Sequence, residues 1–382
     1  MTNQLRSLYL LDPNVTFLNH GSFGATPQPV FDAYQAWQRR LEWQPVRFLG
    51  TELAGHLAEA RRALGDFLHA DAADLVYVPN ATFGVNVVAR SLRLGAGDEV
   101  LTTDHEYGAC DRVWRYLSRE RGFAYCRQPV ALPLTTDEEL VDHFWQGVTP
   151  RTRVIFLSHI TSPTAVRLPI AALCARAAGI LTLIDGAHAP GQIDLDLPAI
   201  GADFYTGNCH KWLSSPKGAA FLYARREAQA LVEPLVVGWG YDAEPGTSYG
   251  SRFLDLLQWL GTIDYAAYLS VPAAIRFQAE HDWPAVRAAC HPLVGQALDG
   301  IGGLTGLPSV YPDDSFYHQM AVAPLPPQTD IVALKRRLID DCRIEIPCTR
   351  WNDQPFIRVS IQAYNTHDDV SRLVDALRVL LR

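Results

Sequence analysis

No stretch of this sequence approaches the roughly 20 consecutive apolar residues that a membrane-crossing helix needs. The opening MTNQLRSLYLLDP also lacks the apolar core of a secretory signal. Neither a membrane partner nor a cleaved leader is expected, and the chain reads as cytoplasmic. An excess of positive charge is missing too. Lys and Arg number 33 against 41 Asp and Glu, a net charge of −8, whereas nucleic acid as a main partner calls for a basic face. The seven cysteines are odd in number and none is spaced C-x-x-C. Neither a disulfide framework nor a structural zinc site is therefore expected, and no metal is assigned. There is no internal repeat and no low-complexity tract.

What is present is a chain of 382 residues, 48% of them hydrophobic, enough for a large core in one large and one small unit. The stretch from Leu181 to Tyr223, LTLIDGAHAPGQIDLDLPAIGADFYTGNCHKWLSSPKGAAFLY, organises the rest. One short apolar run ends on Asp185. A second, Asp203 to Thr206, leads through Gly207, Asn208, Cys209 and His210 into Lys211. Short apolar runs bounded by Gly and Pro read as buried strands of an α/β sheet, with their polar residues at the strand ends where such sheets bind ligands. A lysine at one strand end and a carboxylate at another suit pyridoxal phosphate. The amine forms a Schiff base, and the carboxylate keeps the pyridine nitrogen protonated. Taken singly, each residue has a plainer reading: a lysine after a strand is commonly solvated, and an aspartate there is commonly a turn residue. His188, three residues after Asp185, and His210, directly before Lys211, shift the balance towards a site.

The remaining strand ends carry further candidates. Leu75 to Val78 is predicted as a strand. It runs into Pro79-Asn80-Ala81-Thr82 and a helix start, an arrangement that can cradle a phosphate or simply cap a helix. Glu99 to Thr103 ends in Asp104-His105-Glu106-Tyr107-Gly108-Ala109, where an imidazole could stack on a planar ring or sit hydrogen-bonded in a loop. Arg153 to Ser158 ends in His159-Ile160-Thr161-Ser162. Asn19 and His20 lie in a Gly-flanked turn before helical spacing over residues 28 to 43 and 50 to 68. Arg47, on the break between those two, is either a surface charge or an anion anchor. From Ser270 one long helix is predicted. The strand containing Arg358, Pro355 to Thr366, offers a planar fork suited to a carboxylate, or an ordinary salt bridge. Two motifs are set aside. Gly246-Thr247-Ser248-Tyr249-Gly250 has no apolar strand before it to make a nucleophile elbow. The glycines of GIGGLTG, residues 300 to 306, follow a helical pattern and not the strand of a dinucleotide loop.

The D-x-x-H turn, the H-K pair, the L-N-H-G-S-F-G arm, the S-H-I-T-S-P-T turn and the R-x-S-x-x-x-Y-N-T run together resemble the class V aminotransferase family. The likeness is to its isopenicillin N epimerase-like branch and runs from Phe17 to Thr366. It implies the aspartate-aminotransferase fold, an α/β architecture of pyridoxal-phosphate fold type I with a mostly parallel sheet of the seven-stranded type plus a smaller α+β domain. The implied division is an N-terminal arm over 1–25, a large domain over 26–268 and a small domain over 269–382. Active sites would be shared in a homodimer.

By the same resemblance the cofactor is pyridoxal 5'-phosphate. Lys211 binds it covalently and shuttles the α-proton. Asp185 holds the pyridine N–H, and His188 the ring oxygen. Asn208, His210, Ala81 and Thr82 hold phosphate. His105 stacks on the ring, His159 lies near it, and Gly261 and Thr262 reach the other subunit's phosphate. Arg358 grips the carboxylate of a small-molecule amino-acid substrate, with Asn19 and His20 of the arm nearby, and Arg47 joins them if it is the anion anchor and not a surface charge. His105 or Tyr107 is the candidate second acid/base. The reaction stays open between epimerisation, C–S lysis and transamination. A nucleophilic cysteine of the desulfurase kind is not expected, because Cys348 lies only ten positions before Arg358. A non-catalytic cofactor-binding protein is the reading from a different class.

Overall fold

The computed structural model describes residues 5–243 and 248–382. Twelve strands run through them: β1 Thr16–Phe17, β2 Leu75–Val78, β3 Glu99–Thr103, β4 Ala124–Gln128, β5 Thr152–Ser158, β6 Leu181–Asp185, β7 Phe204–Asn208, β8 Ala220–Ala224, β9 Met320–Pro324, β10 Ile344–Glu345, β11 Cys348–Trp351 and β12 Gln354–Ser360.

Seven of these form one sheet in the order β2-β8-β7-β6-β5-β3-β4. β8 is antiparallel to both of its neighbours, and the other pairings are parallel. A sheet covered on both faces buries successive residues of its inner strands and not alternate ones. Every residue of β2, β3, β7 and β8 is buried accordingly. The period-2 geometry of a strand splits them between two cores. Leu75, Tyr77 and Tyr205 pack into one, and Val76, Val78 and Phe204 into the other. Register brings Ser158, Asp185 and Thr206 side by side at the carboxyl edge.

The helix Ala81–Ser91 follows β2 at that edge. Asn80 caps it, its side chain accepting from the Phe83 N–H at 2.9 Å. Gly84 lets the helix lie close on β7, since a Cβ there would stand 2.3 Å from the Thr206 hydroxyl.

A second sheet is antiparallel, in the order β11-β12-β9. The N-terminal segment joins it from far away in sequence. β1 pairs with β10 in parallel, and Leu18 O accepts from Ser360 N at 3.0 Å. Two expectations are corrected in this region. The long helix from Ser270 is two helices, Val271–Glu280 and Trp283–Thr305. Asp282 breaks the run with a φ of 47° and caps the second helix. The arginine strand ends at Ser360, six residues before Thr366. Gly300 to Gly303 lie within the second of those helices. The Gly246-to-Gly250 motif falls partly outside the described residues. Among the described residues no helix is long and apolar enough to cross a membrane.

Candidate active site

Strands β2, β5, β6 and β7 deliver Pro79, Ser158, Asp185 and Asn208 to one edge, and a cavity of about 500 Å³ opens there. Its remaining walls come from Ser22 and Phe23 of the N-terminal segment, Asn80 to Thr82, Tyr107, Ile160 and Ser162, Ala187 and His188, and His210 and Lys211. Lys217 and Gly218 complete it.

Lys211 enters this space on a backbone held from outside. Its carbonyl accepts from His20 Nε2 at 3.0 Å, and Gly24 lies so close that a Cβ would stand 2.1 Å from the His210 carbonyl. The Lys211 amine is 3.1 Å from His188 Nε2. Burial, then the Arg358 guanidinium, pushes it down to about 8, with Asp185 and Cys110 acting the other way. An amine so placed gives up its proton at a lower pH than an ordinary lysine and so offers a larger share of neutral nucleophile.

Asp185 is buried, and burial pushes its carboxyl up. Oδ1 accepts from the Ala187 N–H at 2.9 Å, and Oδ2 faces Cys110 Sγ at 3.4 Å. A carboxylate has about four lone-pair sites, so room remains for a donor in the cavity. Arg358, 5% exposed, carries the complementary vacancy. Nη1 donates to Ser162 O at 2.6 Å and to its Oγ at 3.2 Å, and Nη2 donates to Ser22 Oγ at 3.0 Å. Nε has no partner, and no described carboxylate forms an ion pair with it. A buried cation without an anion is costly unless a ligand supplies one. At the far side, the N-terminus of helix Ala81–Ser91 faces the cavity, and Asn208 Oδ1 accepts from the Ala81 N–H at 2.9 Å. Such a terminus favours an anion. A reactive amine, a carboxylate with spare acceptor capacity, a helix N-terminus and an unpaired guanidinium together fit a phosphorylated pyridine aldehyde and an amino acid. Among the described residues no group of three or more His, Cys, Asp or Glu is placed to hold a metal ion.

Of the sequence-predicted residues, Lys211, Asp185, His188, His210, Asn208, Ala81, Thr82 and Tyr107 line the cavity, and Arg358 reaches it through Ser22 and Ser162. Others are corrected. His105 does not line it. Its Nδ1 is 2.7 Å from Thr164 Oγ1, its Nε2 2.7 Å from Val130 O, and its ring packs on Trp351 at 4.2 Å. Both nitrogens are committed outside, so the group this turn presents is Tyr107. His159 turns into the core, where its Nδ1 meets the Tyr205 hydroxyl at 2.9 Å, and burial pushes it down to about 3. His20 is likewise buried, its Nδ1 2.9 Å from the Tyr364 hydroxyl. It holds the Lys211 backbone and lines no wall. Asn19 spends its side-chain oxygen on Ser22 Oγ at 2.5 Å. Arg47 pairs with Glu52 at 2.7 Å on the surface, with its side chain 71% exposed. Gly261 and Thr262, expected to serve the other subunit's phosphate and not their own, lie on a loop and do not line the cavity of their own chain, so that expectation is not overturned.

Sequence reasoning missed Ser22, Ser162, Lys217 and Glu106. Ser22 and Ser162 stood in motifs already singled out, each two or three residues from the histidine preferred there. Lys217 follows Lys211 by six residues in a Pro-Lys-Gly turn, and no local pattern marks it as a wall. Glu106 is buried behind the wall, accepting from the hydroxyls of Thr103 and Ser158, both at 2.7 Å. Burial pushes it up to about 7. Cys348 sits in β11, and burial pushes its thiol up to about 12. That is the opposite of an activated nucleophile.

A model of the aminotransferase class-V family matches residues 17–373. The chain is 38% identical to an isopenicillin N epimerase of Amycolatopsis lactamdurans, over 97% of this chain and 96% of that protein. It is 30% identical to a probable chloroplastic L-cysteine desulfhydrase of Arabidopsis thaliana, over 97% of this chain and 84% of that one. The crystal structure of the cysteine desulfurase CsdA from Escherichia coli matches with a TM-score of 0.83 at 22% identity, covering 99% of this chain and 98% of that one. The cystine C–S lyase C-DES, in complex with cysteine persulfide, matches at 0.81 and 23%, covering 96% and 98%. At these identities the structural matches speak for the fold alone.

Proposed function

The chain belongs to the aminotransferase class-V family, a pyridoxal-phosphate enzyme of fold type I, and on that footing we propose that it epimerises the α-carbon of an amino acid. When bound, the cofactor supplies an electron sink that acidifies the Cα–H bond of the attached amino acid. The chain's own residues do the rest. Lys211 would hold the cofactor through its amine and would move the α-proton. Asp185 would accept from the pyridine N–H, and His188 would donate to the ring oxygen. Ala81, Thr82, Asn208 and His210 would hold the phosphate. Arg358, steadied by Ser22 and Ser162, takes the α-carboxylate and so orients Cα towards Lys211.

Epimerisation needs a second group to return the proton from the other side. Of the two candidates, Tyr107 alone lines the cavity. Cytoplasmic location, a homodimer in which Gly261 and Thr262 serve the partner's phosphate, and the division into 1–25, 26–268 and 269–382 belong to the same proposal.

The observation that favours epimerisation is the near end-to-end similarity to two relatives named isopenicillin N epimerase, at 38% and 37% identity. The desulfhydrase relative at 30% supports a second reading, C–S lysis of a cysteine derivative. One incubation series with amino acids in deuterated water separates them. Deuterium appearing at Cα with inversion, and no keto acid, ammonia or sulfide released, is the expected outcome. Release of keto acid and thiol without inversion would move the assignment to a lyase, and keto acid formed only with an amino acceptor would move it to an aminotransferase.

A further inference from the structure

Next to the lysine in sequence stands Trp212, fully buried, whose indole nitrogen lies 3.3 Å from Nδ1 of His188. The other nitrogen of that imidazole, Nε2, is the one 3.1 Å from the Lys211 amine. We propose that Trp212 is a positioning residue. Its indole N–H locks His188 as the tautomer protonated on Nε2, so that the ring turns a donor towards Lys211 and the cavity.

Donors and acceptors decide the tautomer. An indole N–H can only donate. The nitrogen it meets must therefore offer a lone pair, and a neutral imidazole then carries its proton on the opposite nitrogen. His188 is held neutral, since burial, then the positive charges of Lys211 and Arg358, push it well below the usual histidine range. Nε2–H consequently faces the lysine amine. A protonated ammonium has no lone pair, so donor would face donor. The pair is satisfied only when the amine is neutral, or when an oxygen of a bound ligand accepts from Nε2–H instead. The titratable and charged groups around the pair are Arg358, Asp185 and Cys110.

The indole cannot easily swing away. Its backbone carbonyl accepts from Gln278 Nε2 at 2.9 Å, and its ring packs against His20 at 5.0 Å. On the other side, Gln192 Nε2 donates to the His188 carbonyl at 2.7 Å and holds the turn. Chain order thus couples the two jobs. The backbone that presents the amine also presents, one residue later, the group that sets the proton of the amine's neighbour.

The inference deepens the proposed function, because the oxygen that Nε2–H awaits is the cofactor's ring oxygen. It is tested on the full-length protein, with and without pyridoxal phosphate, by nitrogen NMR of histidine-labelled material, with H188Q used to assign the signal among the 12 histidines. The wild type is expected to show His188 protonated on Nε2 in both states. W212F keeps a ring in the core but removes the N–H. It is expected to mix the two tautomers and to raise the cofactor's dissociation constant about 2–10-fold, the span of one net hydrogen bond. A wild-type signal protonated on Nδ1, or a W212F protein that keeps His188 wholly protonated on Nε2, overturns the proposal. If W212F does not fold, the wild-type tautomer alone decides. If the chain takes up no cofactor, the functional reading fails while the tautomer is still read in the bare chain.

Discussion

At the scale of the residue, the proposed function puts the chemistry on Arg358 and Lys211, and their environments make it measurable. Arg358 holds two serines and no carboxylate in a buried place. Replacing it by Ala removes the cation that the proposed function pairs with substrate, at a cost of about 2–5 kcal/mol, or roughly 30-fold or more. R358A is therefore expected to raise KM for an amino acid far more than it weakens cofactor binding. R358K, which cannot offer two parallel N–H groups, should recover only part of the loss. Steady-state kinetics beside a cofactor titration checks this.

The lysine gives a pH prediction. Its amine is pushed down to about 8 by burial and by Arg358. Only the neutral amine attacks an aldehyde, so cofactor uptake by the stripped protein should speed up as pH rises through about 8 and level off above it. A stopped-flow pH series with its inflection near the ordinary lysine value of about 10.4 would contradict it.

The lysine and the aspartate were legible in the sequence because each ends a short apolar run. Several histidines were not. His105, His159 and His20 are directed by Thr164, Tyr205 and Tyr364, which lie 59, 46 and 344 positions away. No local pattern reveals which partner a ring will meet.

At the scale of the element, strand ends and glycine contacts place the site. β2 and β3 have the bounds that the apolar runs and their Gly, Pro and Asp neighbours mark out. The break at Asp282 does carry a helix-start signal, an Asp cap with Pro284 in the first turn, but the apolar spacing that continues across it reads as one helix. The short pairing of β1 with β10 was beyond local reading, since it joins segments more than 300 positions apart. The approach of the helix Ala81–Ser91 to β7 rests on Gly84. G84A should push that helix off Thr206 and cost ~1–3 kcal/mol, read as a lowered midpoint in urea, with weaker cofactor binding. Gly55 is the control. It lies in the helix Leu53–Leu68 with nothing within 4 Å of its would-be Cβ, so G55A should be neutral or stabilising by up to ~1 kcal/mol. Equal losses at both positions would refute the close-approach account.

At the scale of the whole molecule, the single chain leaves large apolar side chains bare. Trp43, Val46 and Trp239 are each at least 85% exposed, and Phe23, on the cavity wall, is 73% exposed. Surfaces of that kind are commonly covered by another copy. We expect sedimentation to give a mass twice the 42.4 kDa of the chain, and dilution into monomer to cost cofactor affinity. A fully active monomer would remove Gly261 and Thr262 from any role in the site.

In the proposed function one amine, Lys211, carries the cofactor, whichever reaction follows. A second lysine, Lys217, lines the same cavity and supplies the internal alternative. The direct measurement is borohydride reduction of the protein loaded with pyridoxal phosphate, followed by digestion and peptide mass mapping. The added mass should fall on Lys211 in the wild type and be absent from K211A. A label on Lys217, or one that persists in K211A, would contradict the account.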